Sequence, residues 1–227
     1  MKRILVTGAT GVLGAALTRE LCACGMGVVA NFYSNELRAV ELQRETNCEL
    51  LRADCSNEAG VEALFAHQNF DAVVHLAGWN RNALALATSP ELWHEILKSH
   101  LDSSFLVCRA GLQHLPHGGQ ILLVSSRVGL QGNIGQSAYA SAKAGVLGLM
   151  KTAALEGRER GVCVNAVCPG FDPESGGVLS SIQRQKRASE ELLPSSDARV
   201  TFTAFASWFL RSNSRMSGQI LRPDCRI

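Results

Sequence analysis

Apolar and polar positions along this chain fall into two alternating patterns. Short runs of β-branched and aliphatic residues at 3–7, 28–32, 50–53, 72–76, 120–125, 162–167 and 219–222 predict strands. The stretches between them repeat their apolar residues with helical spacing and predict helices over 12–24, 36–45, 58–67, 90–115, 137–160 and 201–210. Strand and helix alternate from one end to the other, as expected of a parallel sheet whose crossover helices cover both faces. With no internal repeat and no linker, the pattern predicts one α/β domain over 1–227, a Rossmann-type doubly wound sheet of seven parallel strands. One stretch breaks the alternation. From 171 to 199, Gly, Ser and Pro gather around Gln183-Arg184-Gln185-Lys186-Arg187, and this reads either as a substrate lid or as a plain insertion.

Composition narrows the function classes. Apolar residues make up 46% of the chain and charged residues 19%, enough for a sizeable core and too ordered a mixture for extended disorder. A net charge of +2, with Lys and Arg scattered, argues against nucleic acid as a partner. The eight cysteines include no C-x-x-C pair, and Cys22 and Cys24 point to different faces of a predicted helix. They read as reduced packing residues, with no metal site expected. The apolar residues after Met1-Lys2-Arg3 are broken by Thr7-Gly8-Ala9-Thr10-Gly11, and no apolar run approaches about 18 residues. A soluble cytoplasmic protein without a membrane partner is expected.

The first predicted strand ends in Thr7-Gly8-Ala9-Thr10-Gly11-Val12-Leu13-Gly14 and runs straight into a helix. Glycines there let the backbone approach a pyrophosphate, whose charge is met by amide N–H groups and by the positive end of the helix dipole. This is the order of elements a dinucleotide requires. The second strand ends at Asn31-Phe32-Tyr33-Ser34 without the carboxylate that would bind the ribose hydroxyls of NAD. Asn31, Tyr33 and Ser34 offer donors and Arg38 follows one turn later, so NADPH is expected in preference to NADH. Asp54, followed by Cys55 after the third strand, is expected either at the adenine amino group or as a helix N-terminal acid, with Ser56 as a cap.

Tyr139 and Lys143 stand four apart on one predicted helix and therefore share a face. A phenol with an ordinary pKa of about 10 is a poor acid or base at neutral pH, and moving it by about three units takes roughly 4 kcal/mol. A positive charge at about 4 Å supplies an energy of that order in a partly screened site. The lysine is thus expected to lower the tyrosine pKa, leaving the phenol able to protonate a carbonyl oxygen as hydride reaches the carbon. Ser126, at the carboxyl end of the fifth strand, could polarise the same carbonyl, with Ser125 as its competitor because neighbours in a strand face opposite sides.

On three segments the chain resembles the short-chain dehydrogenase/reductases. Val124-Ser125-Ser126-Arg127-Val128-Gly129, Tyr139-Ala140-Ser141-Ala142-Lys143-Ala144-Gly145 and Val164-Asn165-Ala166-Val167-Cys168-Pro169-Gly170 match, in order, that family's serine, Y-x-x-x-K and Pro-Gly motifs. Met216-Ser217-Gly218-Gln219-Ile220-Leu221 looks like its last strand. The resemblance implies that Ser126 holds the substrate oxygen, Tyr139 is the acid/base, Lys143 also binds the nicotinamide ribose, and Pro169 and Gly170 lie beside the nicotinamide. It further implies a homotetramer built partly from the helices at 90–115 and 137–160. Within the family, 136–170 looks most like the 3-oxoacyl-[acyl-carrier-protein] reductases. That likeness implies an acyl thioester substrate and a carrier protein docking near Arg160, with Arg184, Lys186 and Arg187 adding to the basic patch.

Three positions depart from the family pattern. His75-Leu76-Ala77-Gly78 stands where Asn-Asn-Ala-Gly is usual, keeping only the small Ala77 and Gly78 for close cofactor approach. Gly11 occupies a place where NADPH-preferring relatives often carry Arg. His100 replaces an Asn that completes a water relay to the lysine, and imidazole can both donate and accept in that role. Reduction of a 3-oxoacyl thioester is the leading expectation. The alternatives are a reductase or dehydrogenase of another small ketone or alcohol, and a cofactor-binding regulatory protein without turnover.

Overall fold

The central strands RILVT, AVVH, QILLV and CVNAV are mostly apolar and buried along nearly their whole length, so both faces of the sheet must be covered there. A computed structural model, describing residues 1–66, 69–170, 198–212 and 215–223, does this with a seven-stranded parallel sheet in the order β3-β2-β1-β4-β5-β6-β7. The strands are β1 (Arg3–Thr7), β2 (Gly27–Phe32), β3 (Glu49–Arg52), β4 (Ala72–His75), β5 (Gln120–Val124), β6 (Cys163–Val167) and β7 (Ile220–Leu221). The helices are α1 (Val12–Ala23), α2 (Glu36–Thr46), α3 (Glu58–Phe65), α4 (Pro90–Leu97), α5 (Ser103–His114), α6 (Val128–Gln131), α7 (Ser137–Glu156) and α8 (Ala198–Arg211).

Alternation along the strands divides the core in two. Leu5, Val73, Ile121, Leu123 and Val164 pack on one face with Leu64 of α3, Val107 of α5 and Met150 of α7. Ile4, Val6, Val74 and Leu122 pack on the other with Leu17 and Leu21 of α1 and Phe202 and Phe209 of α8. Each fully buried Leu or Ile stabilises the fold by about 1.5–3 kcal/mol relative to an exposed one. Strand order reverses between β1 and β4, and the carboxyl ends of these strands open the crevice where such sheets bind ligands.

Local chemistry sets the helix ends. The side chains of Asn35, Asn57 and Ser89 accept backbone N–H groups at the starts of α2, α3 and α4. Asn57, not Ser56, therefore caps α3. The expected helix over 90–115 is divided by a π segment at Lys98–Asp102, and the one expected over 137–160 ends at Glu156. Around the π turn, Ser103 Oγ donates to the Ser99 carbonyl (2.7 Å) and Ser104 Oγ to the His100 carbonyl (2.5 Å). Such back-bonding satisfies carbonyls that an altered helical turn would release. Of the expected lid over 171–199, residues 171–197 lie outside the described residues, as do Arg184, Lys186 and Arg187, while Ala198 and Arg199 open α8.

Candidate active site

The glycine turn is built by close approach. Gly8 has φ +63°, and a Cβ there would stand 2.8 Å from the Ala77 backbone, so the ends of β1 and β4 meet only because residue 8 lacks a side chain. A Cβ on Gly14 would lie 2.3 Å from the Gly8 carbonyl oxygen, which is how tightly α1 sits on the turn. Gly11 caps α1 with no side-chain acceptor, in contrast to the capped starts of α2, α3 and α4. Thr10, Val12 and Leu13 flank this cradle, and its close backbone approach fits the pyrophosphate of a dinucleotide.

A buried hydrogen-bond chain fixes the neighbouring strand end. Thr7 Oγ1 accepts from the amides of Leu76 (3.2 Å) and Ala77 (3.3 Å), so its own hydrogen is directed to His75 Nδ1, 2.8 Å away. His75 Nε2 then donates to Ser103 Oγ (3.1 Å), whose hydrogen is committed to Ser99. Every group in the chain is satisfied and His75 is held neutral. Burial, aided by the charge of Lys143, lowers its pKa to about 3. His75 thus rigidifies the strand end from below, a role its position in the sequence did not reveal.

The π segment turns His100 inward, where it is 5% exposed. Its Nε2 donates to the Trp79 carbonyl (2.9 Å), while the Trp79 amide donates to Ser99 Oγ (3.0 Å), tying the loop after β4 to the helix at both sides of Trp79. With its hydrogen on Nε2, His100 keeps Nδ1 as an acceptor, and this atom has no hydrogen-bond partner. Gly78, at φ +149°, makes the arrangement possible, because a Cβ there would come within 2.2 Å of the His100 ring. Burial and the Lys143 charge hold the imidazole well below its ordinary pKa and hence neutral.

Tyr139 and Lys143 rise from the first turns of α7, which is anchored to β5 by Ser125: its Oγ donates to the Lys143 carbonyl (2.8 Å). Ser125 is therefore spent on structure. Ser126, the next residue, hydrogen-bonds the Tyr139 phenol and accepts from the Val128 amide (3.2 Å). Gly129 lets α6 lie against α7, since a Cβ there would stand 2.7 Å from the Lys143 backbone. The His100 and Tyr139 rings meet edge to face with centroids 5.0 Å apart.

The electrostatics differ from the expectation drawn from spacing. Lys143 Nζ donates to the Val124 carbonyl (2.8 Å) and lies 5.7 Å from the centre of the Tyr139 ring. Burial lowers the lysine pKa to about 8 and raises that of Tyr139, which the Ser126 hydrogen bond only partly offsets. The phenol is thus protonated at neutral pH, the state needed to donate to a carbonyl oxygen, and its pKa is not pulled down by the lysine.

Two further expectations change. Asn31 is buried, its amide nitrogen donating to the carbonyls of Leu51 (3.2 Å) and Ala53 (3.0 Å) and its oxygen accepting from Cys55 Sγ (3.3 Å). Its side chain joins β2 to β3 and is not available to a cofactor, because three backbone and thiol groups already occupy it. The Cys55 side chain is equally enclosed, its thiol pKa raised by burial to about 12. Asp54 caps the Ser56 amide (2.8 Å), whereas Tyr33 and Ser34 are exposed beyond the end of β2. Pro169 and Gly170 follow β6 at the same carboxyl edge of the sheet, half-buried. Arg160 lies in the turn from α7 into β6, at the opposite edge, its guanidinium donating to the Leu115 carbonyl (3.5 Å). Among the described residues no group of three or more His, Cys, Asp or Glu side chains could hold a metal, and no helix is long and apolar enough to cross a membrane.

Comparison with known proteins agrees with this geometry. Residues 2–178 match the short chain dehydrogenase family. The chain is 35% identical over 203 residues to an acetoacetyl-CoA reductase of Rhizobium meliloti, covering 86% of this chain and 83% of that protein. It is 34% identical over 195 residues to a 3-oxoacyl-[acyl-carrier-protein] reductase of Aquifex aeolicus, covering 80% and 79% of the two chains. A short chain dehydrogenase from Burkholderia cenocepacia, solved in complex with NADP, superposes with a TM-score of 0.89 at 22% identity, covering 99% of this chain and 97% of that one. A continuous match over 2–178, together with the fold, makes this chain a member of the short-chain dehydrogenase family.

Proposed function

We propose that the chain is a single-domain NADPH-dependent reductase that converts a 3-oxoacyl thioester, carried by acyl carrier protein, to its 3-hydroxyacyl form. The observation that carries this reading is the convergence of Tyr139, Ser126 and the His100 ring at the carboxyl edge of the sheet beside the glycine cradle. Gly8, Gly11, Gly14 and the backbone around Ala77 and Gly78 would hold the dinucleotide, with Tyr33 and Ser34 at its adenosine ribose. NADPH, when bound, supplies the hydride. Ser126 and Tyr139 hold the substrate oxygen, and Tyr139 delivers its proton there. Lys143, still largely protonated near neutral pH, lies behind the phenol and binds the nicotinamide ribose.

The names of the relatives support an acyl thioester in general, on either coenzyme A or a carrier protein. Seven free thiols among the described residues fit a reducing, cytoplasmic compartment. A homotetramer joined through α5 and α7 belongs to the same proposal, and a monomeric sedimentation profile would remove it. Carrier docking near Arg160 would appear as weaker carrier binding in Arg160→Ala.

The test follows NADPH and NADH consumption at about 340 nm with acetoacetyl-CoA, acetoacetyl-carrier protein and free ketones, with Tyr139→Phe as control. Faster Tyr139-dependent turnover of the carrier-linked substrate supports the proposal. Turnover of free ketones alone points to another carbonyl substrate, and cofactor binding without any turnover points to a regulatory binder.

A further inference from the structure

Two loops that leave the neighbouring strands β4 and β5 are fastened to each other beyond the carboxyl edge of the sheet. The Ala83 amide, in the loop after β4, donates to the Gly135 carbonyl (2.9 Å), in the loop after α6, and Ala83 pairs with Gln136 as an isolated parallel bridge. Four carboxamides continue the join. Gln136 Nε2 (3.0 Å) and Asn80 Nδ2 (2.8 Å) both donate to Asn82 Oδ1, and Asn133 Nδ2 donates to Gln136 Oε1 (2.6 Å).

Gln136 is the N-cap of α7, yet its side chain makes no capping bond. The cap side chains of α2, α3 and α4 turn back onto their own helices, whereas that of Gln136 crosses to Asn82. Its carbonyl meanwhile accepts from the Ala140 amide (2.7 Å), so one residue joins the start of α7 to the loop after β4. Tyr139 lies in that first turn. The loop is held at its other end as well, where the Trp79 amide and carbonyl bond Ser99 and His100 and Gly78 lies against the His100 ring. Residues 78–83 are thus strung between the π segment and the helix that carries the phenol. Asn80, Asn82 and Asn133 are exposed and bury no apolar surface, so the carboxamides add little to the core. What they fix is the separation between the close approach at Gly78 and the first turn of α7.

We propose that Asn82 and Gln136 are positioning residues for the reduction, their hydrogen bond setting the place of the Tyr139 phenol relative to Gly78. Neither touches the reacting atoms. This rests on the reductase reading above. Hydride and proton must reach one carbonyl group in alignment, and a misplacement of about 1 Å can cost roughly a hundredfold in rate.

The test compares the wild-type chain with Asn82→Ala, Asn82→Asp and the double variant Asn82→Asp/Gln136→Glu. In Asn82→Asp a carboxylate oxygen still accepts from Asn80 and Gln136; in Asn82→Ala no acceptor remains, and in the double variant two carboxylates repel each other. The measurements are kcat and KM for acetoacetyl-CoA, the isotope effect of NADPH deuterated at the transferred position, NADPH affinity by calorimetry, unfolding temperature, and amide hydrogen exchange in the first turn of α7 without cofactor. Asn82→Ala and the double variant should lose kcat by up to roughly a hundredfold, with a larger isotope effect and faster exchange at the start of α7, while KM, NADPH affinity and unfolding temperature stay unchanged. Asn82→Asp should recover most of the rate and the slow exchange. Wild-type kcat in Asn82→Ala, a loss confined to KM, a loss shared with NADPH affinity and unfolding temperature, or equal losses in Asn82→Ala and Asn82→Asp would each overturn the proposal while the reductase reading stands. A wild-type chain that reduces no acyl thioester removes that reading and the proposal with it.

Discussion

The His100 ring stands edge-on to the Tyr139 ring, their planes at 79° and their centroids 5.0 Å apart. Through this contact the π segment at Lys98–Asp102 supports the proton donor on α7, although the two elements are separated by a strand of the sheet in sequence. The same ring is hydrogen-bonded to Trp79 and pressed against Gly78, so the acid, the loop after β4 and the irregular helix turn form one unit. Edge-to-face pairs of this kind are worth about 0.5–1.5 kcal/mol beyond their buried area.

Tyr139→Phe should retain cofactor binding and lose nearly all turnover. Removing the hydroxyl deletes the proton donor and the Ser126 hydrogen bond but preserves the ring against His100. Single-turnover measurements on the reduction of an acyl thioester would check this, and wild-type rates in the variant would exclude Tyr139 as the acid.

His100→Ala should lower kcat by roughly a hundredfold, the bottom of the range of general acid–base contributions, and leave the Trp79 carbonyl without the His100 hydrogen bond. His100→Asn should recover much of the loss, since an amide can donate to that carbonyl and still present an acceptor where Nδ1 now lies. Equal rates in the two variants would show that only the bulk of the ring matters.

Acid should destabilise the fold through His75. Its folded pKa of about 3 lies below the ordinary value of 6.5, so between these limits the unfolded chain binds more protons. The stability His75 confers by staying neutral is complete above pH 6.5 and is lost progressively as the pH falls toward 3. His100, also held well below its ordinary value, adds to the same trend. Urea unfolding as a function of pH should give a shallower acid decline in His75→Asn than in the wild-type chain.

Gly14→Ala should cost both stability and cofactor affinity. The new methyl would lie 2.3 Å from the Gly8 carbonyl oxygen and 2.8 Å from Ala9 Cα, both backbone, so α1 must move off the turn. Overpacking of this kind costs about 1–3 kcal/mol, and the displaced amides would meet the pyrophosphate less well. Thermal unfolding and NADP+ titration would register the two losses separately.

The seven strands, the crossover helices and the glycine turn were legible because they depend on patterns within a few residues. A buried parallel strand is mostly apolar along its length, and a turn whose backbone approaches a pyrophosphate places glycine at its closest points. The Y-x-x-x-K spacing likewise placed Tyr139 and Lys143 on one helical face. The π segment left only a faint signal, the serines at 99, 103 and 104, because its cause is the bonding of Ser99 to Trp79 and of Ser103 to His75 across the fold.

Tertiary structure alone decided which groups were still available. Asn31 looks like a cofactor donor in sequence, but β3 claims its amide. Lys143 looks like the source of a lowered tyrosine pKa, yet the Val124 carbonyl holds its ammonium and burial raises the phenol instead. Ser125 and Ser126 were equivalent until α7 took the first as its anchor and left the second at the phenol. The amino-acid pattern determined the fold and the chemical types at its open edge, because hydrophobic period and chain geometry act locally. The sheet decided which of those groups remained unpaired and how water exclusion shifted their protons, because hydrogen-bond partners and burial come from residues far apart in the chain.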